Sequence, residues 1–318
     1  MSKFWRYLII FLILLVAVIV WIFISKNNNN IKFGPFEKEP NVFVSENSFL
    51  VVYEDNNQSF INVNDDIFGP YNKIVAQADS LSDKNFGFAY SIGPKNIWFV
   101  NINNSLKGPY EEAKCVSVSE RGSSYAYKQN GQWYADINGK IYGPYEFIKN
   151  LASNDNYFIF SYIQDGREHI LINGDEGPDY DSVESVAVNP IGVSYVYILS
   201  NEKFVNYSGK IFGPYTISAP IYLFENGFIF WYLDGQDLFI NMNDVISGPY
   251  NAVNILKNSQ YAAFYHKKSV DDYFYISTNT GTFGPYNYPY INGGVAPNKI
   301  GFTYSEKGYW YVTIFSVK

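Results

Sequence analysis

The sequence predicts an all-β fold of eight four-stranded units, an eight-bladed β-propeller, and three observations predict it. A Gly-Pro-aromatic tripeptide recurs at nearly even spacing from residue 34 to residue 286. Each period holds four short segments of alternating polarity separated by turn residues. The two ends of the repeat region are complementary fragments of one unit.

Composition suits such a fold. Of 318 residues, 19% are aromatic, with 30 Tyr and 26 Phe, and only 17% are charged. Aromatic residues favour strands and supply apolar surface to bury. The net charge is −7 and no basic block occurs. Phosphate recognition relies on clustered Lys and Arg, so nucleic acid is not expected as a partner.

Tyr7 to Ile24 are 18 consecutive uncharged, largely apolar residues, about 27 Å as a helix and nearly one bilayer core. Lys3 and Arg6 precede them and no small-residue cleavage site follows. This predicts an uncleaved transmembrane signal anchor over 7–24, a cytoplasmic amino terminus over 1–6, and an extracytoplasmic remainder. Lys26 and Lys32 weaken the charge asymmetry. A cleaved secretion signal would export the remainder equally. Residues 25–30, largely asparagine, read as a linker, and 31–318 as the propeller domain.

The tripeptide appears as Gly34-Pro35-Phe36, Gly69-Pro70-Tyr71, Gly108-Pro109-Tyr110, Gly143-Pro144-Tyr145, Gly213-Pro214-Tyr215, Gly248-Pro249-Tyr250 and Gly284-Pro285-Tyr286. A residue is inserted in Gly177-Pro178-Asp179-Tyr180, which reads as a bulge or longer turn. Successive glycines lie 35, 39, 35, 34, 36, 35 and 36 residues apart. Gly93-Pro94-Lys95 is out of phase and lacks the aromatic, so it falls outside the series. Proline cannot continue a ladder, so Gly-Pro is expected to end the outer strand and protect that edge, with the aromatic packing as the chain crosses to the next unit. An exposed ring of these aromatics, serving as a glycan or peptide platform, is the functional alternative.

Within Glu111 to Tyr145 the strands are expected at Cys115–Val118, Tyr125–Tyr127, Trp133–Ile137 and Lys140–Tyr142. Asn130-Gly131 and Asn138-Gly139 lie between them as type I′ hairpin signals. Asn64-Asp65, Asn103-Asn104, Asn173-Gly174, Ser208-Gly209 and Asn243-Asp244 repeat the third-to-fourth-strand turn. Asp165-Gly166, Asp234-Gly235 and Lys307-Gly308 repeat the second-to-third. A four-stranded unit of this size buries too little surface to stand alone. Residues 31–318 number 288, eight times 36. The first Gly-Pro-aromatic lacks three preceding strands, and the last unit, Asn287 to Lys318, lacks its fourth. An amino-terminal strand that completes the last blade closes the ring, whereas a rod would carry polar caps.

Ser119-Glu120-Arg121-Gly122-Ser123-Ser124-Tyr125-Ala126-Tyr127 and Ser153 to Phe160 resemble the S-P-D-G-x-x-x-A-Y core of WD-like, Tol-type bacterial propeller repeats. Asn138 to Tyr145 is similar to their third-turn ending. The Pro-Asp-Gly turn is intact nowhere, Asn189-Pro190-Ile191-Gly192 coming nearest. The resemblance implies a propeller, often an interaction platform, and brings no catalytic residue.

Little else in the sequence points to chemistry. Cys115 is the only cysteine, which excludes an intramolecular disulfide and a multi-thiolate metal site, and it is expected to be a small buried core residue. His169 and His266 fall at different phases of different repeats and are expected on surface hairpins. No G-x-S-x-G, H-E-x-x-H, P-loop or EF-hand pattern is present. Ser153-Asn154-Asp155 echoes the Asp-box turn of sialidase-like propellers, but Tyr157 stands where that turn needs glycine. Asp65-Asp66, Glu111-Glu112, Asp175-Glu176 and Asp271-Asp272 read as solvated turn carboxylates, since adjacent strand residues face opposite ways.

No catalytic, cofactor-binding or metal-ligating residue is therefore expected. The chain reads as a binding or scaffolding module for a protein, peptide or envelope glycan. The alternatives are a glycan hydrolase or lyase that assembles carboxylates from several blades at the central mouth, and a purely structural spacer.

Overall fold

The computed structural model describes residues 31–316 except 46, 217–219, 225–226, 258–261, 268–273, 279–280, 287–292, 297–298 and 307–308. The expected anchor, cytoplasmic segment and linker lie outside the described residues, as does the Lys307-Gly308 turn. Among the described residues no helix is long and apolar enough to cross a membrane.

The described chain forms eight four-stranded antiparallel sheets, the blades of a β-propeller. Seven are sequential meanders, called sheets 1 to 7 here, spanning 41–71, 73–110, 112–145, 147–176, 182–215, 222–250 and 252–286. In the remaining sheet Ile31–Phe36 pairs antiparallel with Tyr309–Ser316, Ile31 opposite Ile314 and Phe36 opposite Trp310. The two ends of the repeat region do complete one another.

Sheet 3 shows how sequence sets the strands. They run over Glu112–Val118, Ser123–Gln129, Gln132–Ile137 and Lys140–Tyr145, each longer than or equal to its expected span. The turns behave as asparagine and glycine chemistry requires. Asn64, Asn103, Asn138, Asn173, Ser208 and Asn243 all take positive φ, between 48° and 54°. The amide oxygens of Asn64, Asn103, Asn138, Asn173 and Asn243 then accept the backbone N–H that opens the second strand, at 2.8–2.9 Å. One short polar side chain thus closes the turn and ties it to its neighbour. Behind these turns, Ile61, Val100, Ala135, Ile170, Val205 and Ile240 occupy one register position on the third strands, all fully buried.

The Gly-Pro pair does not end the outer strand, contrary to expectation. It forms a bulge, and the ladder resumes at the aromatic. Tyr71 pairs with Ser59, Tyr110 with Trp98, Tyr145 with Trp133, Tyr215 with Lys203 and Tyr250 with Leu238. The six described Gly-Pro bonds from Gly34-Pro35 to Gly248-Pro249 of this form are cis, and their glycines have φ of 113° to 138°. That backbone region is open to glycine alone. Space forbids a side chain as well: a Cβ on Gly143 would lie 2.8 Å from the Trp133 carbonyl oxygen.

The bulge aims the aromatic at the following sheet, where it joins a three-ring stack. Tyr71 lies 4.1 Å from Tyr90, which lies 5.8 Å from Phe99. The same order gives Phe36–Tyr53–Phe60, Tyr110–Tyr127–Tyr134, Tyr145–Tyr162–His169, Tyr180–Tyr197–Phe204, Tyr215–Tyr232–Phe239 and Tyr250–His266–Tyr275. These tyrosines pack between sheets, so the structural reading of the motif holds over the exposed platform. In sheet 4 the outer strand shrinks to Asp175–Glu176. Tyr180 nevertheless returns to the ladder through its N–H to the Glu168 carbonyl at 3.2 Å, while the inserted Asp179 turns outward.

Replacing Gly143 by alanine is expected to cost about 1–3 kcal/mol, from strain and from displacing the Trp133 strand. Gly131 has φ 79° and nothing within 4 Å of where a Cβ would stand, so it should accept asparagine almost without loss. Urea midpoints of the two variants check this: equal midpoints would mean that the bulge tolerates a side chain.

Candidate functional site

The turn from first to second strand recurs as Ser45-x-x-Ser48, Ser82-x-x-Asn85, Ser119-x-x-Gly122, Asn154-x-x-Tyr157 and Asn189-x-x-Gly192. In the first four, the leading residue's N–H donates to the carbonyl of the fourth, at 2.8–2.9 Å. The fourth residue's N–H donates back to the leading side-chain oxygen, at 2.8–3.2 Å. Two reciprocal bonds lock each loop.

Each loop also bonds to the loop of the next sheet. Ser45 Oγ donates to the Ser82 carbonyl at 3.3 Å and Ser48 Oγ to the Asp83 carbonyl at 3.2 Å. Asn85 Nδ2 donates to the Ser119 carbonyl at 2.7 Å, and the Arg121 N–H to Asp155 Oδ1 at 2.9 Å. Asn156 Nδ2 reaches the Pro190 carbonyl at 3.4 Å, and Asn189 Nδ2 the Phe224 carbonyl at 2.9 Å. The result is a hydrogen-bonded collar across sheets 1 to 6 around one end of the propeller axis. The sequence reading noted individual turns and missed the collar. Its signal was a Ser or Asn leading the turn once per repeat.

Inside the collar lies a hollow of about 380 Å³, lined by turn residues of sheets 2 to 5. Asp79, Asp83, Glu120 and Asp155 contribute carboxylates and Arg121 the one cation of the lining. Glu120 and Asp155 are exposed, and Glu120 meets Lys84 at 3.6 Å. The Asn154 oxygen is taken up by its turn, accepting from Asn156 and Tyr157, while its buried Nδ2 has no protein partner. Asn154 is among the residues that line the hollow, but this nitrogen is shut off from it. Among the described residues no group of three His, Cys, Asp or Glu side chains is placed to hold a metal ion.

A second hollow of about 320 Å³ continues along the axis and shares Asp79 with the first. Cys115, Asn150 and Ser185, one per sheet at 35-residue intervals, line it, with Phe43 and Tyr222. Ser185 Oγ there is buried without a protein partner. Cys115 packs against the core between sheets 3 and 4, as expected, and it also borders this hollow. It sits at a bulge with φ 55°, deep within the disc yet open to the axial hollow. Burial pushes its thiol pKa up, opposed by the Lys114 charge and a backbone hydrogen bond at Leu151. This disfavours a reactive thiolate.

Both histidines depart from expectation. His266 is 3% exposed and takes the second-strand stack position that tyrosine holds in the other sheets described. His169 takes the third-strand position, stacked on Tyr162 at 5.2 Å, and its Nδ1 lies 2.9 Å from the carboxylate of the inserted Asp179. Period-wise alignment rather than hairpin position would have found them. The paired acids Asp65-Asp66, Glu111-Glu112 and Asp175-Glu176 are exposed, as expected, and Asp271-Asp272 lies outside the described residues.

No protein-family model matches the chain, and no curated protein does. Among solved structures it is similar to an oligogalacturonate lyase in complex with manganese, at 9% identity and TM-score 0.43, over 92% of this chain and 98% of the other. It is similar to the WD40 domain of Toxoplasma gondii coronin at 9% identity and TM-score 0.41, over 92% and 87%. Apo AztD from Citrobacter koseri gives 11% and 0.43, over 88% and 94%. Likenesses at this level assign neither activity nor ligand.

His266→Tyr should stay within about 1 kcal/mol of the parent, because it restores the common stack, whereas His266→Ala should cost about 2–4 kcal/mol. Thermal or urea unfolding distinguishes these, and equal losses would deny the stack its role. A second expectation concerns pH. Burial raises the pKa of Tyr71, Tyr90, Tyr145, Tyr197 and Tyr232, and pushes Tyr215 up to about 12. The fold thus favours the neutral phenols. This stability is fully present below about pH 10, where an unfolded tyrosine begins to ionise, and is lost as pH rises through the folded values. Unfolding midpoints should fall from about pH 10 upward, and tyrosinate absorbance should lag behind that of free tyrosine until the chain unfolds.

Proposed function

We propose that the protein is a membrane-anchored, extracytoplasmic binding module in which the eight sheets close into one eight-bladed ring of the Tol-type kind. Closure is supported by the pairing of Ile31–Phe36 with Tyr309–Ser316 and by contact of the first strand of that sheet, Gly293–Ala296, with the first strands of sheets 1 and 7. The anchor rests on the apolar run Tyr7 to Ile24.

The observation that carries the binding role is the hollow inside the collar: about 380 Å³, lined by four carboxylates and one arginine. Its size falls within the usual range of binding clefts, and its rim is held rigid before any ligand arrives. Of protein, peptide and envelope glycan, the charge favours a basic segment of a protein or peptide. The carboxylates of Asp79, Asp83 and Asp155 would meet its cations.

The second reading, a glycan hydrolase or lyase, draws on the same carboxylates, which come from sheets 2, 3 and 4. Against it, Glu120 and Asp155 are exposed and the Asp155 carboxylate accepts the Arg121 N–H, so neither has the secluded setting of a general acid.

Titration calorimetry with oligolysine and oligoarginine peptides tests the proposal. Replacing Asp79, Asp83 and Asp155 together by Asn should weaken binding about tenfold or more, equivalent to about 1.4 kcal/mol, and added salt should do the same, with the melting temperature held. Affinity indifferent to the triple substitution and to salt would sink it. Release of new reducing ends from polysaccharide, abolished in Asp79→Asn, would promote the enzyme reading.

A further inference from the structure

We infer that the collar-bound mouth is the face turned toward the membrane, with an aliphatic belt at its level resting against zwitterionic lipid headgroups. This deepens the anchored-module reading and rests on it.

Chain path supplies the first argument. In each meander the first-to-second and third-to-fourth turns share one end, the end that carries the collar. Ile31–Phe36 is an outer strand, so it starts at the collar end and runs away from it, Ile31 lying opposite Ile314 near the end of the last strand. The expected linker between anchor and fold is residues 25–30, whose contour is at most about 20 Å. A six-residue outer strand is itself about 20 Å long. To present the opposite face to the bilayer, the linker would have to double back along the whole flank of the disc. Its length is used up in doing so.

Surface apolarity supplies the second argument, independently. Seven of the ten large exposed hydrophobic residues described lie at the collar end, in or within two residues of its turns. Ile67, Leu106, Ile141, Ile211 and Ile246 hold the same outer-strand register position and are 48–62% exposed. The three at the other end, Ile92, Ile97 and Leu199, are 40–44% exposed. A ring of aliphatic side chains at one level gains by leaving water for the interfacial zone of a bilayer. The carboxylates of the mouth would be repelled by anionic lipid within a Debye length, about 10 Å, which selects zwitterionic headgroups. A ligand of the mouth then arrives through the gap beside the membrane, which suits a partner held in the same bilayer.

The test uses the full-length chain in phosphatidylcholine vesicles, with Cys115→Ser removing the native thiol. Dyes are placed at the collar end through Glu120→Cys and Asp244→Cys, and at the other end through Lys95→Cys and Gln132→Cys. Quenching by lipid carrying a headgroup nitroxide reports depth. The collar-end dyes should lie about 20 Å nearer the lipid, and Ile141→Ser together with Ile211→Ser should reduce that difference. Equal or reversed depths on a chain that stays in the vesicle pellet after alkaline carbonate would overturn the orientation and leave the anchor standing. Release into the supernatant would overturn both.

Discussion

Every described junction between consecutive sheets in this molecule turns on one aromatic ring leaning on another, their planes 27–41° apart. A four-stranded sheet of about thirty-five residues cannot bury enough surface to persist alone, so it is stable only as part of a stack. The ring that crosses the junction comes from a Gly-Pro bulge on the outer strand, and the ring that receives it comes from the second strand of the next sheet. Pairs of this kind contribute roughly 0.5–1.5 kcal/mol beyond the area they bury. The bulge matters because it re-aims the aromatic without removing it from the ladder. Sheet 4 shows how strongly the contact is retained: its outer strand is two residues long and its tripeptide carries an inserted aspartate, yet Tyr180 still lies 4.4 Å from Tyr197.

The stack fixes the outer half of each described junction, and from sheet 1 to sheet 6 the collar fixes the inner half. Around the mouth the turns are tied first to themselves and then to their neighbours, with donors running mostly from one sheet to the next. The leading and closing N–H groups of the first four loops are thereby bonded without help from a ligand. A rim built this way loses little entropy on binding, since its loops are already ordered. The unpartnered Asn154 amide stands out against that background.

Architecture was legible because it is written in residues whose backbone requirements are narrow. Glycine at φ beyond +110°, proline beside it, and Asn or Gly at hairpin turns leave few alternatives, and their period counted the units. What escaped were properties set by neighbouring repeats. His266 reads as a hairpin residue in its own strand and becomes a buried stack member only when aligned with Tyr90, Tyr127, Tyr162, Tyr197 and Tyr232. Cys115 packs against the core as its alternation suggests, but its place beside the axial hollow, at a local bulge, does not show in its own strand. The collar depends on bonds between residues about 35 positions apart, which no local pattern displays. The acids of the mouth were invisible for the same reason, since Asp83, Glu120 and Asp155 are ordinary turn residues until three sheets bring them around one hollow.

The division of labour within each mouth turn accounts for where specificity can reside. The leading Ser or Asn and the closing residue are committed to the reciprocal bonds, and the strands behind them to the core. The two middle positions, Asp83-Lys84, Glu120-Arg121, Asp155-Asn156 and Pro190-Ile191, take no part in the reciprocal bonds or the core, although the Asp155 and Asn156 side chains bond to neighbouring loops. All but Lys84 and Ile191 line the hollow. A repeat protein held together by identical contacts can vary only where those contacts make no demand, and here that freedom converges on the axis. The chemistry of the mouth is therefore set by about two side chains per sheet, two of which, Asp155 and Asn156, also tie one loop to another.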